Sequence, residues 1–311
     1  MAGRSSRWRT RRSFAVLAVL SVLALAPRAA RAQELEPGAY WPLPVGLNIL
    51  TAVNNMSWGA LTFDPALSVE QASARINTSL VAYTRVLSIA GRSANAGVQL
   101  PVVGGHVEGL YLGVPTEVGR FGLGDARFRL AVNLYGAPAM APKDFAGYRM
   151  RTIVGVSVSV AAPLGQYDNT KVINLGTNRW SVKSELGVAR AIGPWVVELM
   201  GGVWTFTDNT DFVGGRTREQ EHILSTQVHI TYRFPKGTWL AGDANFYKGG
   251  RTIVDGAPNL DFQKNSRVGA TFSKAFTRRQ SLRASVSRGA YTTIGADFTS
   301  IAVGYNYAWI R

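Results

Sequence analysis

Apolar and polar side chains alternate one by one over most of this chain. In 149–161, Val154, Val156, Val158 and Val160 share one parity, and Gly155, Ser157 and Ser159 the other. In 222–234, Leu224, Val228, Ile230, Tyr232 and Phe234 oppose Ser225, Gln227, His229, Thr231 and Arg233. Near the end, Ile301, Val303, Tyr305, Tyr307 and Trp309 oppose Ala302, Gly304, Asn306 and Ala308. Period two is the pattern of a β-strand whose faces meet different surroundings. Twelve such segments are predicted: 46–57, 74–88, 93–103, 125–135, 149–161, 179–190, 195–206, 222–234, 238–248, 262–275, 279–289 and 297–309. Short links around 90–92, 192–194, 235–237 and 276–278 largely alternate with long ones around 58–73, 104–124, 162–178, 207–221 and 249–261. The link 136–148 breaks that rhythm, and a helical turn is expected there.

Soluble sandwich strands average about 5 or 6 residues. These run about 10 to 13, the length of a tilted membrane strand. Aromatic residues stand near strand ends: Trp58, Tyr135, Trp180, Trp195, Phe234, Trp239, Tyr247 and Trp309. That is the placement of interfacial girdles. The expected fold is all-β, a transmembrane antiparallel β-barrel of about twelve strands, spanning 45–311 in the outer membrane of a Gram-negative bacterium. In a barrel of this kind the apolar face meets lipid and the polar face lines the interior. Parity then assigns Arg85, Asp125, Arg127, Arg129, Asn133, Lys183, Glu185, Glu198, His229, Arg233, Asp243, Arg267 and Arg283 to the pore lining. Twelve strands lie between the side-chain-filled interior of eight and the open channel of sixteen. A narrow route for one small molecule is expected, and the lining holds more cations than anions.

Charge changes the picture little. The net charge is +15, but residues 1–32 carry seven arginines and no acid, which leaves +8. The basic start, the apolar stretch Phe14–Ala26 and Ala30-Arg31-Ala32 read as a cleaved signal peptide. Thr10-Arg11-Arg12-Ser13-Phe14 also resembles a twin-arginine signal, a route for folded cargo that fits a membrane barrel badly. Residues 33–44 hold three prolines before the first strand and are expected either to plug the barrel or to trail into the periplasm. The remaining basic residues are scattered, which argues against nucleic acid. With no cysteine there is no disulfide and no thiolate chemistry.

Three histidines exist, His106, His222 and His229. The last two face opposite ways on one strand and cannot share a metal from it. A membrane-embedded hydrolase built on His229 would need a cross-strand serine and an acid, since Ser225 on the same strand is about 13 Å away. The oxygen-rich stretch Thr207-Asp208-Asn209-Thr210-Asp211 reads as a solvated turn, with calcium as the alternative. The glycines in Gly119-Arg120-Phe121-Gly122-Leu123-Gly124 read as a pliant loop. No cofactor and no catalytic residue is expected.

The segments GLGDARFRLAVNLYGAPA (122–139), TIVGVSVSVAAPLGQYD (152–168), INLGTNRWSVKSELG (173–187), GGVWTFTDNTDF (201–212) and GGRTIVDG (249–256) resemble the putative meta-pathway of phenol degradation family. That resemblance covers nearly all of 38–309 and implies an outer-membrane "transporter" barrel that admits aromatic or other hydrophobic compounds. The expected function is therefore passive passage of such compounds or their acids. Its expected partners are outer-membrane lipid, a small-molecule solute and the outer-membrane assembly machinery. A closed structural or adhesive barrel with partner-binding loops is the alternative. Trp309 is followed by Ile310 and Arg311, so the terminal aromatic that the insertion machinery reads stands two places early.

Overall fold

The computed structural model describes residues 35–62, 69–171 and 173–310. The signal peptide expected over 1–32 lies outside the described residues. The first three strands are β1 (Leu47–Thr62), β2 (Val69–Ile89) and β3 (Arg92–Tyr111), followed by β4 (Val114–Leu123), β5 (Ala126–Tyr135) and a single turn of helix α1 (Pro142–Phe145). Then come β6 (Thr152–Ala162), β7 (Ser181–Ile192), β8 (Trp195–Phe206), β9 (Asn209–Phe212), β10 (Arg216–Gln220), β11 (Ile223–Phe234) and β12 (Thr238–Gly249). The chain ends with β13 (Thr252–Val254), β14 (Ala257–Pro258), β15 (Gln263–Ala275), β16 (Gln280–Tyr291) and β17 (Gly295–Ile310).

Twelve strands pair antiparallel in the order β1, β2, β3, β5, β6, β7, β8, β11, β12, β15, β16, β17, and β17 returns to β1. The ring is closed, so the backbone groups of its strands find partners without water, which hydrocarbon requires. Both ends of the barrel chain and the short turns lie at one rim, the periplasmic one by the usual asymmetry. The β2–β3 turn there is Ala90-Gly91, with φ +48° and +72°, the mirror-type two-residue turn that matches strand twist.

The 104–124 link is not a loop. Strand β3 runs on through Pro101 and the glycines, turns at Leu112-Gly113 (φ +52° and +77°), and returns as β4 against its own outer half. Between Leu123 and Arg127 the register against β3 slips by one residue, and β5 continues downward. β5 meets β6 as far as Ala126↔Ala162, while β4 pairs only with β3. The β3–β4 hairpin therefore rises above the ring, with Leu112, Val114 and Phe121 exposed. The links after β8 and β12 likewise carry structure, joining as a small sheet, β14-β13-β10-β9, over the outer mouth.

Candidate lumen and its two walls

The register decides which side chains share a face. Ser57, Ser300 and Arg267 are joined by hydrogen bonds across β1, β17 and β15, at 2.8 Å (Ser57 to Ser300) and 2.7 Å (Arg267 Nη2 to Ser300), and all three are buried. These positions face inward. Following the pairing from them, the inward set on β5 is Arg127, Arg129 and Asn133, on β7 Lys183 and Glu185, and on β8 Glu198. His229 follows on β11, Asp243 on β12 and Arg283 on β16.

These side chains form a connected wall. Lys183 Nζ lies 2.5 Å from Glu185 Oε2, both buried, and Gln227 donates to the same carboxylate at 3.1 Å. His229 stands between Glu198 and Asp243 in register, with Nδ1 2.6 Å from Asp243 Oδ1. Thr271 donates to the other oxygen of Asp243 at 2.7 Å. Arg267 donates from Nε to Ser287 Oγ at 2.9 Å. Buried charge is tolerated only where it is paired and hydrogen-bonded, and this wall meets that condition across five strands. His229 Nε2 has no protein partner, so the acid of a hydrolase arrangement is present but no hydroxyl bonds the ring nitrogen that would activate it.

The N-terminal segment sits against the same wall. Gly155 and Gly187 are directly paired on β6 and β7, and both face inward. A Cβ on either would lie 2.3 or 2.2 Å from the Tyr40 ring, so the paired glycines form the slot that holds it. The Tyr40 hydroxyl reaches Ser157 Oγ at 3.0 Å and donates to Glu185 Oε1 at 3.2 Å. Asn133 donates to the Tyr40 carbonyl at 3.1 Å. Gly38 N donates to both oxygens of Glu198, at 3.2 and 3.0 Å, and Trp41 meets Trp239 edge-on at 5.8 Å. Parity alone gave no sign of Tyr40. The signal that existed was a pair of inward glycines in a run of polar lumen positions. Arg127 and Arg283 point inward and are nevertheless exposed, so solvent-filled space lies beside this segment towards both mouths. A cleft at the outer side is lined by Glu36, Gln99, Arg127, Arg129, Ser159 and Trp204.

The opposite wall is different. Inward on β1, β2 and β3 stand Ile49, Val53, Ile76, Leu80, Pro101 and Val103, with Val53, Leu80 and Pro101 in one row between the uncharged polar groups of Thr51 and Gln99 and those of Asn55 and Thr78. Arg85, expected in the lining, is on the lipid side. It pairs across from Asn48 and donates to Asn48 Oδ1 at 3.2 Å, beside the Tyr83 hydroxyl at 2.7 Å. The reason is that on β2 the polar face, with Arg75, Asn77 and Ser79, turns outward, so the rule that polar residues face inward selects the wrong parity. Two girdle residues move the other way. Trp239, opposite Arg233, and Tyr247, opposite Ser225, face the lumen. Arg233 lies at the periplasmic rim and donates to Gly193 O at 2.9 Å. Asp125 lies outside the strands and ties the outer loop: it accepts from Gly165 N at 3.0 Å and from Thr177 N and Oγ1 at 2.9 and 2.7 Å.

At the outer rim Arg179 stacks 4.5 Å from the Phe206 ring, and burial lowers its pKa to about 10, still cationic at neutral pH. In the nearby loop, hydrogen bonds from Lys171 and Thr170 hold Asp168 well below the usual carboxylate range. The oxygens of Asn209 and Asp211 are taken by protein donors, including Asn178 Nδ2 and Asn169 Nδ2 at 2.9 and 2.6 Å. Among the described residues no three His, Cys, Asp or Glu side chains cluster as a metal site would.

A closed twelve-strand ring with a charged lumen wall is one half of the comparison with known proteins; the other is the match of residues 43–305 to the family model "Putative MetA-pathway of phenol degradation". The chain belongs to that family. No curated protein matches it. Among solved structures it is similar to the COG4313 outer membrane channel from Pseudomonas putida F1, at 23% identity and TM-score 0.74, over 89% of this chain and 100% of that one. It is also similar to the transport unit of the autotransporter AIDA-I from Escherichia coli, at 8% identity and TM-score 0.50, over 93% and 97%. These likenesses are likenesses of fold. Together with the ring and its girdles they place this member of the phenol-degradation family in the outer membrane as a β-barrel.

Proposed function

We propose that the barrel passes small amphipathic solutes, aromatic or hydrophobic compounds or their acids, by passive diffusion. The observation that carries this reading is the two-faced lumen. Val53, Leu80 and Pro101 offer an apolar row, and the exposed Arg127 and Arg283 offer cations from β5 and β16 to either side of it. A flat ring bearing a carboxylate matches both surfaces at once; a sugar matches neither as well. Residues 35–44 act as the plug that narrows the route, with Tyr40 as its anchor. Membership of a family named for phenol degradation supports the same solute class, and a fold shared with an outer membrane channel supports passage.

Flux of benzoate, acetate and glucose into proteoliposomes tests it. Benzoate should outrun acetate despite its size, and both should outrun glucose. A plain sieve predicts acetate first; that order, or no flux above empty liposomes, removes the proposal. A second reading, a closed adhesive barrel, is favoured by the exposed apolar hairpin at Leu112, Val114 and Phe121. It predicts no flux even after removal of residues 33–44.

A further inference from the structure

The membrane-facing side of the apolar wall carries Asn54, Asn77 and Ser79, all exposed. Asn48 pairs with Trp309 beside Tyr83 in the periplasmic girdle. Asn54 is six residues further along β1. At a rise of about 3.3 Å per residue and a tilt of about 40° this is about 15 Å, near the middle of an apolar band about 25 Å tall. Trp58, four residues beyond, stands at the level of the outer girdle.

Hydrocarbon offers no hydrogen-bond partner at that depth. The three side chains turn to each other. Asn54 Nδ2 donates to Asn77 Oδ1 at 2.9 Å and to Ser79 Oγ at 3.1 Å, and Asn77 Nδ2 returns a bond to Asn54 Oδ1 at 3.3 Å. These bonds use both amide hydrogens of Asn54 but one of the two on Asn77, and they leave the Ser79 hydroxyl hydrogen over. Leu50, Met56, Val81 and Leu100 surround the cluster as exposed apolar groups. Gly104, opposite Asn77 on β3, has no side chain of its own, and the exposed Phe121 ring lies over it as a further apolar neighbour.

We propose that this cluster is the centre of a twofold interface between two copies of the chain within the outer membrane. Primary amides donate and accept equally, so a patch with two of them is its own complement. A twofold axis sets the spare Asn77 amide hydrogen and the Ser79 hydroxyl of one copy against amide oxygens of the other. The apolar neighbours close around that centre and exclude lipid, with Arg75 at the outer edge of the patch. Acyl chains bring no polar atom to this depth, which favours a second copy over lipid as the occupant. The interface stands or falls independently of what crosses the lumen.

The chain has no cysteine, so a single introduced thiol is a clean reporter. Oxidation of Ser79→Cys in native outer membranes should give a disulfide-linked species of twice the monomer mass. Leu199→Cys, exposed on the far side of the ring, should give none. In vesicles, photobleaching steps of a dye on the outer hairpin should shift at least tenfold towards monomer in Asn54→Leu with Asn77→Leu. Heat-modifiable gel mobility shows whether that variant has folded. Absence of the Ser79→Cys product at every protein-to-lipid ratio overturns the interface, and so does an undiminished dimer in the folded double variant. If the double variant does not fold, the Ser79→Cys and Leu199→Cys pair decides alone.

Discussion

On β7 and β8 the inward positions are Lys183, Glu185, Glu198 and Met200, and the lipid positions are Leu186, Val188, Val197 and Leu199. On β1 and β2 the inward positions carry no charge, with Val53, Ile76 and Leu80 among Thr51, Asn55, Ser57 and Thr78, and Asn54, Asn77 and Ser79 face the membrane. Both walls alternate with period two, and both pair without a break. Alternation therefore separates two faces but does not say which is inside. What a face meets is decided by what fills the space in front of it. The charged wall faces the N-terminal segment and its carboxylates and hydroxyls. The residues of the apolar row are half-buried, which denies them part of the burial that a packed core would supply. A two-sided interior of this kind suits a two-sided solute.

The comparison is broken most severely by removing one charge from the charged wall. Lys183→Met leaves Glu185 buried with its cation gone. The expected loss is about 3–5 kcal/mol of barrel stability, and adding Glu185→Gln should recover most of it. Val53→Ala in the apolar wall, where the side chain is half-buried, should cost only about 1 kcal/mol. Urea unfolding of the refolded barrel in detergent measures all three. Equal losses for Lys183→Met and Val53→Ala would mean that the charged wall is solvated rather than paired.

Next in size is the slot that ties the segment to the charged wall. Gly155→Val places carbon where the Tyr40 ring lies, 2.3 Å from its Cδ1 in the structure. Ejecting the ring forfeits about 2 kcal/mol of burial and hydrogen bonding, about thirtyfold in the population of the unseated segment. Single-channel conductance should rise several-fold, and Tyr40→Ala should raise it equally. The double variant should add nothing further. Additive gains would show that Tyr40 and Gly155 act apart.

The strands were readable because lipid on one side and lumen on the other write a period of two into the chain. All twelve predicted segments fall within the ring. The faces were readable wherever polar meant inward, as for Arg267 between Asn265 and Gly269. They were not readable on β2, where Arg85 shares a face with Asn77 and Ser79, because the environment of that face is set by neighbours remote in sequence. Trp239 and Tyr247 stand near strand ends, and position without register counted them as girdle residues. The β3–β4 hairpin was hidden because Leu112 occupies a turn position with φ +52°, which leucine seldom adopts. The seat of Tyr40 required knowing that Gly155 faces Gly187 across two strands.

The finest of these tests asks whether the apolar wall touches the solute. Leu80 lies in the row Val53–Leu80–Pro101, half-buried and facing inward. Threonine there keeps β-propensity but trades apolar contact for a hydroxyl. If an aromatic ring covers about 40 Å² of this wall in passing, the lost contact is about 1 kcal/mol, about a fivefold fall in benzoate flux relative to acetate. Val81→Thr, one residue on and facing lipid, is the matched control and should leave the ratio unchanged. Arg127→Ala should lower benzoate and acetate alike, because the carboxylate is common to both. An unaltered ratio in Leu80→Thr, or an equal fall in Val81→Thr, would show that solutes pass along the charged wall alone and that the apolar row serves only to hold β1, β2 and β3 together.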